Sequence, residues 1–190
     1  MDLKNLQQRL EKETVSDIVN SLLLSGSHVC YQNDPSLILA LKKEISKRYS
    51  IHVKEIEIVG SAKIGFSLSN ERFGKPFCET SDIDLAVISS QLFDNAWLNL
   101  LRMDMIYYKL PDADREKLKE CYETIHRGFI SPERLPYKSN FGQRWWEMFS
   151  RISNDPKYEK RKIRGRLFKN WWFAEKYYSI QIEKLKKESK

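Results

Sequence analysis

Two short strings hold residue types and spacings that could do chemistry. The first is Ile58-Val59-Gly60-Ser61 and the second, after a polar stretch, is Ser81-Asp82-Ile83-Asp84-Leu85-Ala86-Val87. On an extended chain, side chains two residues apart project from the same face, so Asp82 and Asp84 bring their oxygens within reach of one ion. Mg²⁺ is a hard cation that takes oxygen ligands and is commonly shared between one or two carboxylates and substrate phosphates. Two carboxylates that close repel each other unless a cation neutralises them, so the pair is costly as mere structure. At Gly60 the missing side chain lets backbone approach a phosphate, and the Ser61 hydroxyl can donate to one. Taken separately, a Gly-Ser after a strand is usually a turn and an Asp-x-Asp usually an exposed strand edge. Their order, with apolar strands around both, is far more specific.

Hydrophobic-Gly-Ser, a connecting segment, then Ser-Asp-Ile-Asp-Leu resembles the nucleotidyltransferase fold superfamily typified by DNA polymerase β. By motif the resemblance covers about residues 51 to 90. It implies a small mixed sheet flanked by helices, with Gly60 and Ser61 as ligands of a nucleotide's phosphates and Asp82 and Asp84 as catalytic, Mg²⁺-binding carboxylates. It further implies transfer of a nucleoside monophosphate from an NTP to an acceptor (RNA, protein or nucleotide), with bacterial defence or a toxin–antitoxin pair as settings. Two features depart from the family's pattern. Ser61 and Asp82 are separated by 20 residues, a longer span than usual, which carries Arg72, Gly74, Lys75 and Pro76 near the site. No strand is expected after Ile88 to carry a third carboxylate, and Asp104, Glu133 and Glu147 read as ordinary helix or loop residues. An alternative reading is therefore a catalytically inactive, nucleotidyltransferase-like module that binds nucleotide or nucleic acid, with a protein partner.

Other chemistries find less support. His28, His52 and His126 have no paired nucleophile in a recognisable motif, which leaves hydrolytic triads unsupported. Lys63 could reach a phosphate, but there is no G-x-x-x-x-G-K-[ST] string. Cys30, Cys78 and Cys121 lie more than 40 residues apart without zinc-ligand spacing and read as reduced thiols.

The elements that must position these residues follow from periodicity. Apolar positions from Leu3 to Leu24 recur at three- and four-residue steps, predicting one amphipathic helix. Asp34-Pro35-Ser36 supplies a cap and a first-turn proline for a second helix to about Tyr49. Val53 to Val59 and Ile83 to Ile88 read as strands. Helices are expected over Leu92 to Leu110, Ala113 to His126 and Gly142 to Ile152, with an ordered loop from Gly128 to Asn140. A long final helix is expected after Pro156, with Ile163, Leu167, Trp171, Ala174, Tyr178 and Ile182 on one face. The class is α+β: a nucleotidyltransferase-like core with N-terminal helices over residues 1 to 111, then a helical C-terminal part over 112 to 190.

The chain has 190 residues, 41% hydrophobic and 31% charged, with 7 Gly and 6 Pro, which argues against disorder and low-complexity linkers. No apolar run approaches the roughly 18 residues of a membrane span. Met1-Asp2-Leu3-Lys4 lacks the pattern of a secretory signal, so a cytoplasmic, membrane-free location is expected. The net charge of +7 is uneven. Residues 157 to 190 hold 12 Lys or Arg against 4 Glu, leaving the rest of the chain at −1. That segment is the footprint of a surface facing phosphates, RNA or another polyanion, with Arg161, Lys162, Arg164 and Arg166 as the expected contacts. Aromatics interleave with it; of Trp145-Trp146 and of Trp171-Trp172, one member of each pair is expected to pack and the other to stay partly exposed.

Overall fold

The protein is described by a computed structural model over residues 3–188; Met1 and Asp2 of the expected leaderless start, and Ser189 and Lys190 of the basic segment, lie outside it. The fold is mixed α+β, built on an open four-stranded sheet of order β1-β2-β4-β3. Its strands are β1 (Ile56–Val59), β2 (Ile83–Ile88), β3 (Phe129–Ile130) and β4 (Ile163–Phe168). β1 runs antiparallel to β2, with Val59 opposite Asp84. β2 runs parallel to β4, with Asp84 opposite Arg164 and Ala86 opposite Arg166, and β3 pairs antiparallel with β4. The strand pairing therefore crosses residue 111, the expected boundary between the two parts.

The helices are α1 (Leu3–Lys12), α2 (Val15–Ile18), α3 (Pro35–Tyr49), α4 (Ser61–Ile64), α5 (Ser90–Asp104), α6 (Asp112–Ile125), α7 (Asn140–Ser153) and α8 (Trp171–Glu188). One face of the sheet presents Ile56, Ile58, Ile83, Leu85, Val87, Ile163 and Leu167 to a core with Leu41, Ile45, Phe93, Leu100, Trp145 and Phe149. The other face presents Val59, Ala86, Ile88 and Phe168 to Leu6, Leu10, Ile18, Leu23, Ala174, Tyr178 and Ile182. Alternation along β2 puts Asp84 on this second face, in line with Ala86 and Ile88. The N-terminal helices and α8 cover its apolar end and leave its charged end open.

Four expectations are corrected. The N-terminal stretch is not one helix: α1 stops at Lys12, Thr14 caps α2 by accepting from the Asp17 amide, and Val19–Leu24 continues as π-helical turns. Val53–Glu55 is a 3₁₀ turn, and the strand begins only at Ile56. Strands do follow Ile88, so the C-terminal part is not wholly helical. Ile163 to Phe168 belongs to one of them, and the last helix starts at Trp171. Ile163 and Leu167 stand four apart, as on a helix, but they also flank an inward position held by Gly165. A Cβ there would lie 2.4 Å from Phe149 Cζ and 2.6 Å from Trp145 Cζ2, so only glycine lets the strand lie against those rings. The apolar alternation that marks a strand is thereby interrupted at its centre.

Candidate active site

The open end of the second face is the floor of a cavity of about 730 Å³ lined by Gly60, Ser61, Asp82, Asp84, Glu133, Arg164 and Arg166, among others. Gly60 terminates β1 with φ +66° and ψ −149°, a conformation that a side chain would strain, and this turns the chain sharply into α4. A Cβ on Gly60 would sit 3.6 Å from Asp84 Oδ2, so the backbone of the turn lies directly against that carboxylate. All four residues singled out by spacing thus line one cavity: Asp84 from β2, Asp82 just before it, and Gly60 and Ser61 just after β1.

The surroundings of the two aspartates differ. Asp82 Oδ2 accepts an ion pair from Arg164 Nη2 at 3.1 Å. Asp84 is open to the cavity, yet the walls strip it of enough water to push its carboxyl above the usual carboxylate range. Arg166 and Arg164 partly offset that desolvation, and the neighbouring charge of Asp82 adds to it. Glu133, on the 3₁₀ turn Pro132–Arg134 beyond β3, is pushed up in the same way, by burial first, with Arg164 opposing and Asp84 reinforcing it. Further carboxylates therefore border the cavity from turns, Glu133 here and Glu71 on the connection, without converging with the pair as a metal cluster among the described residues. Asp104 and Glu147 do not line the cavity. Only tertiary structure brings Glu133 in, and the sequence carries no local signal for it.

Gly165 explains the basic side of the site. It faces Trp145 and Phe149 with no side chain, so Arg164 and Arg166 on either side both point to the cavity face. Arg166 is held there: Nε donates to Ser131 Oγ at 3.5 Å, Nη1 to the Tyr177 hydroxyl, and the guanidinium lies 4.5 Å from the Tyr177 ring centroid. Arg164 Nε is buried with no hydrogen-bond partner among the described residues. The long connection from Ser61 to Asp82 folds over the mouth, pinned by Phe77 N–H to Gly65 O at 2.8 Å and Ser67 N–H to Lys75 O at 2.9 Å. It brings Arg72, Lys75 and Pro76 to the lining, while Gly74 donates to Ser67 O at 2.9 Å as part of its turn.

Two expected contacts fall elsewhere, and so does Lys63. Arg161 donates to Cys78 O at 3.0 Å and lies 4.9 Å from the Phe77 ring, so it ties down the connection, and Lys162 is not in the lining. Lys63 turns away from the cavity, 1% exposed, and pairs with Glu57 at 2.5 Å, so it is unavailable to a phosphate there. Of the tryptophan pairs, Trp145 packs and Trp146 is exposed as expected, but Trp171 and Trp172 are both exposed, at 40% and 57%.

Hard oxygen donors at Asp82 and Asp84, charges close enough to raise Asp84's affinity for protons, suit a divalent cation shared with phosphates. No three His, Cys, Asp or Glu side chains converge as a ready metal cluster among the described residues. Among those residues no helix is long and apolar enough to cross a membrane. No family model matches the chain, and no curated protein or solved structure is significantly similar to it.

Proposed function

We propose that this chain is an Mg²⁺-dependent nucleotidyltransferase that moves a nucleoside monophosphate from an NTP to an acceptor hydroxyl. The observation that carries the reading is the meeting of Gly60, Ser61, Asp82 and Asp84 with Arg164 and Arg166 in one cavity. A volume of about 730 Å³ is of the order that holds a small ligand such as a nucleotide. The Gly60 turn and the Ser61 hydroxyl cradle the triphosphate on one side, and Arg164, Arg166 and Lys75 neutralise it on the other. Asp82 and Asp84 would hold Mg²⁺, which would supply charge neutralisation to the transferring phosphate. The acceptor oxygen bonds to the α-phosphorus, the bond to pyrophosphate breaks, and the hydroxyl proton leaves to water. The protein's part is positioning and fixed charge.

The test is release of labelled pyrophosphate from each NTP with Mg²⁺, for the wild-type chain and Asp84→Asn. Loss of about a thousandfold or more in the variant is expected, because removing a metal carboxylate removes transition-state charge stabilisation of about 4 kcal/mol. Equal turnover in both would overturn the reading.

One observation favours a second reading. Arg164 already occupies Asp82 at 3.1 Å, and the register sets it opposite Asp84 on the neighbouring strand. A site whose carboxylates are answered by arginine can bind nucleotide without turnover, as an inactive regulatory module. That reading expects Mg²⁺-independent NTP binding and no pyrophosphate from the wild-type chain.

A further inference from the structure

Beside the cavity just described lies a second groove, of about 650 Å³, lined by Arg127, Phe129, Trp172, Lys176, Ile180 and Lys184 among others. Tyr177 and Gln181 border both spaces, so the groove adjoins the first cavity across those two residues and is lined on one side by α8. Its chemistry differs from the cavity's. The cavity mixes Asp82, Asp84 and Glu133 with its cations, whereas the groove is lined by Arg127, Lys176 and Lys184 and by no carboxylate. None of these three cations forms an ion pair among the described residues.

The aromatic side is equally specific. Trp172 is 57% exposed on the first turn of α8, propped edge-on by Phe173 with ring centroids 4.9 Å apart, and Lys176 Nζ lies 5.6 Å from its ring. An exposed aromatic face and three cations without ion-pair partners thus stand side by side along one groove. It is the arrangement in which bases stack on a ring while the backbone phosphates meet lysine and arginine.

We infer that this groove receives a single-stranded nucleic acid as the acceptor. One base stacks on Trp172, phosphates lie along Arg127, Lys176 and Lys184, and the strand's terminal hydroxyl passes Tyr177 into the cavity. The inference rests on the nucleotidyltransferase reading, since it identifies the acceptor for that site. An acidic peptide would satisfy the cations but leave Trp172 without a partner. A duplex would keep its bases from the ring.

The experiment measures fluorescence anisotropy of a labelled oligouridylate and an oligothymidylate of about 12 nucleotides, with wild type, Trp172→Ala and the triple Arg127→Gln, Lys176→Gln, Lys184→Gln variant, at several salt concentrations. Base-free polyphosphate and a duplex serve as competitors. All the substituted side chains are exposed, and thermal unfolding checks that each variant is folded. Trp172→Ala is expected to weaken binding about tenfold, by loss of one stacked base. The triple variant is expected to flatten the slope of log affinity against log salt by about 2, at roughly 0.7 per phosphate contact on a single strand. Mg²⁺-dependent binding of a non-hydrolysable NTP is read in parallel and is expected to be unchanged in both. No oligonucleotide binding, affinities unchanged by both variants, or equal competition by polyphosphate with no effect of Trp172→Ala overturns the groove while NTP binding stands. If the wild-type chain binds no NTP but the oligonucleotide pattern holds, the nucleotidyltransferase reading fails, and the acceptor assignment falls with it. RNA bound and DNA refused, or the reverse, fixes which strand the groove accepts.

Discussion

Two charged clusters flank Gly60, and they resolve their charges in opposite ways. On one side Glu57 receives Lys63 at 2.5 Å, His28 at 2.7 Å and Lys42 at 2.8 Å. Burial pushes its carboxyl up, but the three hydrogen bonds outweigh burial and hold it down to about 2. On the other side Asp84 and Glu133, open to the cavity but partly desolvated by its walls, are left above their usual range, with arginines that answer them only in part. A carboxylate saturated by protein donors has no free valence and serves the fold. One that the protein leaves uncompensated costs stability until a ligand arrives, and clusters of that kind mark functional sites. The Glu57 cluster is not all gain, because burial lowers the Lys63 ammonium despite its partner. Its net contribution is smaller than the shift of Glu57 alone suggests.

The contrast breaks most directly at Glu57. Glu57→Gln leaves Lys63 buried with no countercharge and is expected to cost about 3 to 5 kcal/mol in urea unfolding, the usual penalty for orphaning a buried charge. The wild-type chain should show the same cluster by pH. The folded carboxyl is depressed from 4.5 to about 2, so its stabilisation is full above 4.5 and is lost as pH falls through that window. Stability that is flat over this range, with a cost below about 1 kcal/mol in the variant, would show the cluster to be a solvated surface feature.

A smaller effect is expected at Gly165, which links the core to the cavity. Gly165→Ala puts a methyl 2.4 Å from Phe149 and 2.6 Å from Trp145, and neither ring is the far end of a flexible chain. Overpacking of this kind costs about 1 to 3 kcal/mol. Because Arg164 and Arg166 flank the residue, the same substitution should also weaken binding of a nucleoside triphosphate. Loss of stability with unaltered binding would separate the strand's packing from the site.

How much of this was legible in the sequence depended on whether the signal was local. The Gly60-Ser61 and Asp82-Asp84 strings each sit within one strand and its turn, so period and spacing were enough to bring them together. β4 was hidden because Gly165 removes its central apolar residue and Arg164 and Arg166 look like a helix's polar face. Without β4 the sequence offers no place for the arginines beside Asp84, and nothing in it separates Arg161 and Lys162 from Arg164 and Arg166. Glu133 reaches the cavity through the pairing of β3 with β4, between segments more than 30 residues apart, and nothing near it in sequence announces that. Lys63 shows the converse: it follows the Gly-Ser motif by two residues, yet its partner is Glu57 on the preceding strand.

The smallest expected effect is the most discriminating, because it carries a sign. Asp84 holds its proton more tightly in the fold than its ordinary value of 3.8, chiefly through burial, so folding works against its ionisation. Below that value both states are protonated and nothing is lost. As pH rises through the raised folded value, the wild-type chain loses stability that Asp84→Asn keeps. Without metal at neutral pH, the variant should therefore melt at the same temperature as the wild type or slightly above it, the two curves converging in acid. Adding Mg²⁺ with a non-hydrolysable NTP should reverse the order, since a ligand at tenfold its Kd stabilises the state that binds it by about 1.4 kcal/mol. A variant that melts clearly lower at neutral pH without metal would mean that Arg164 and Arg166 already satisfy Asp84. Asp84 would then belong with Glu57, as a charge that holds the fold.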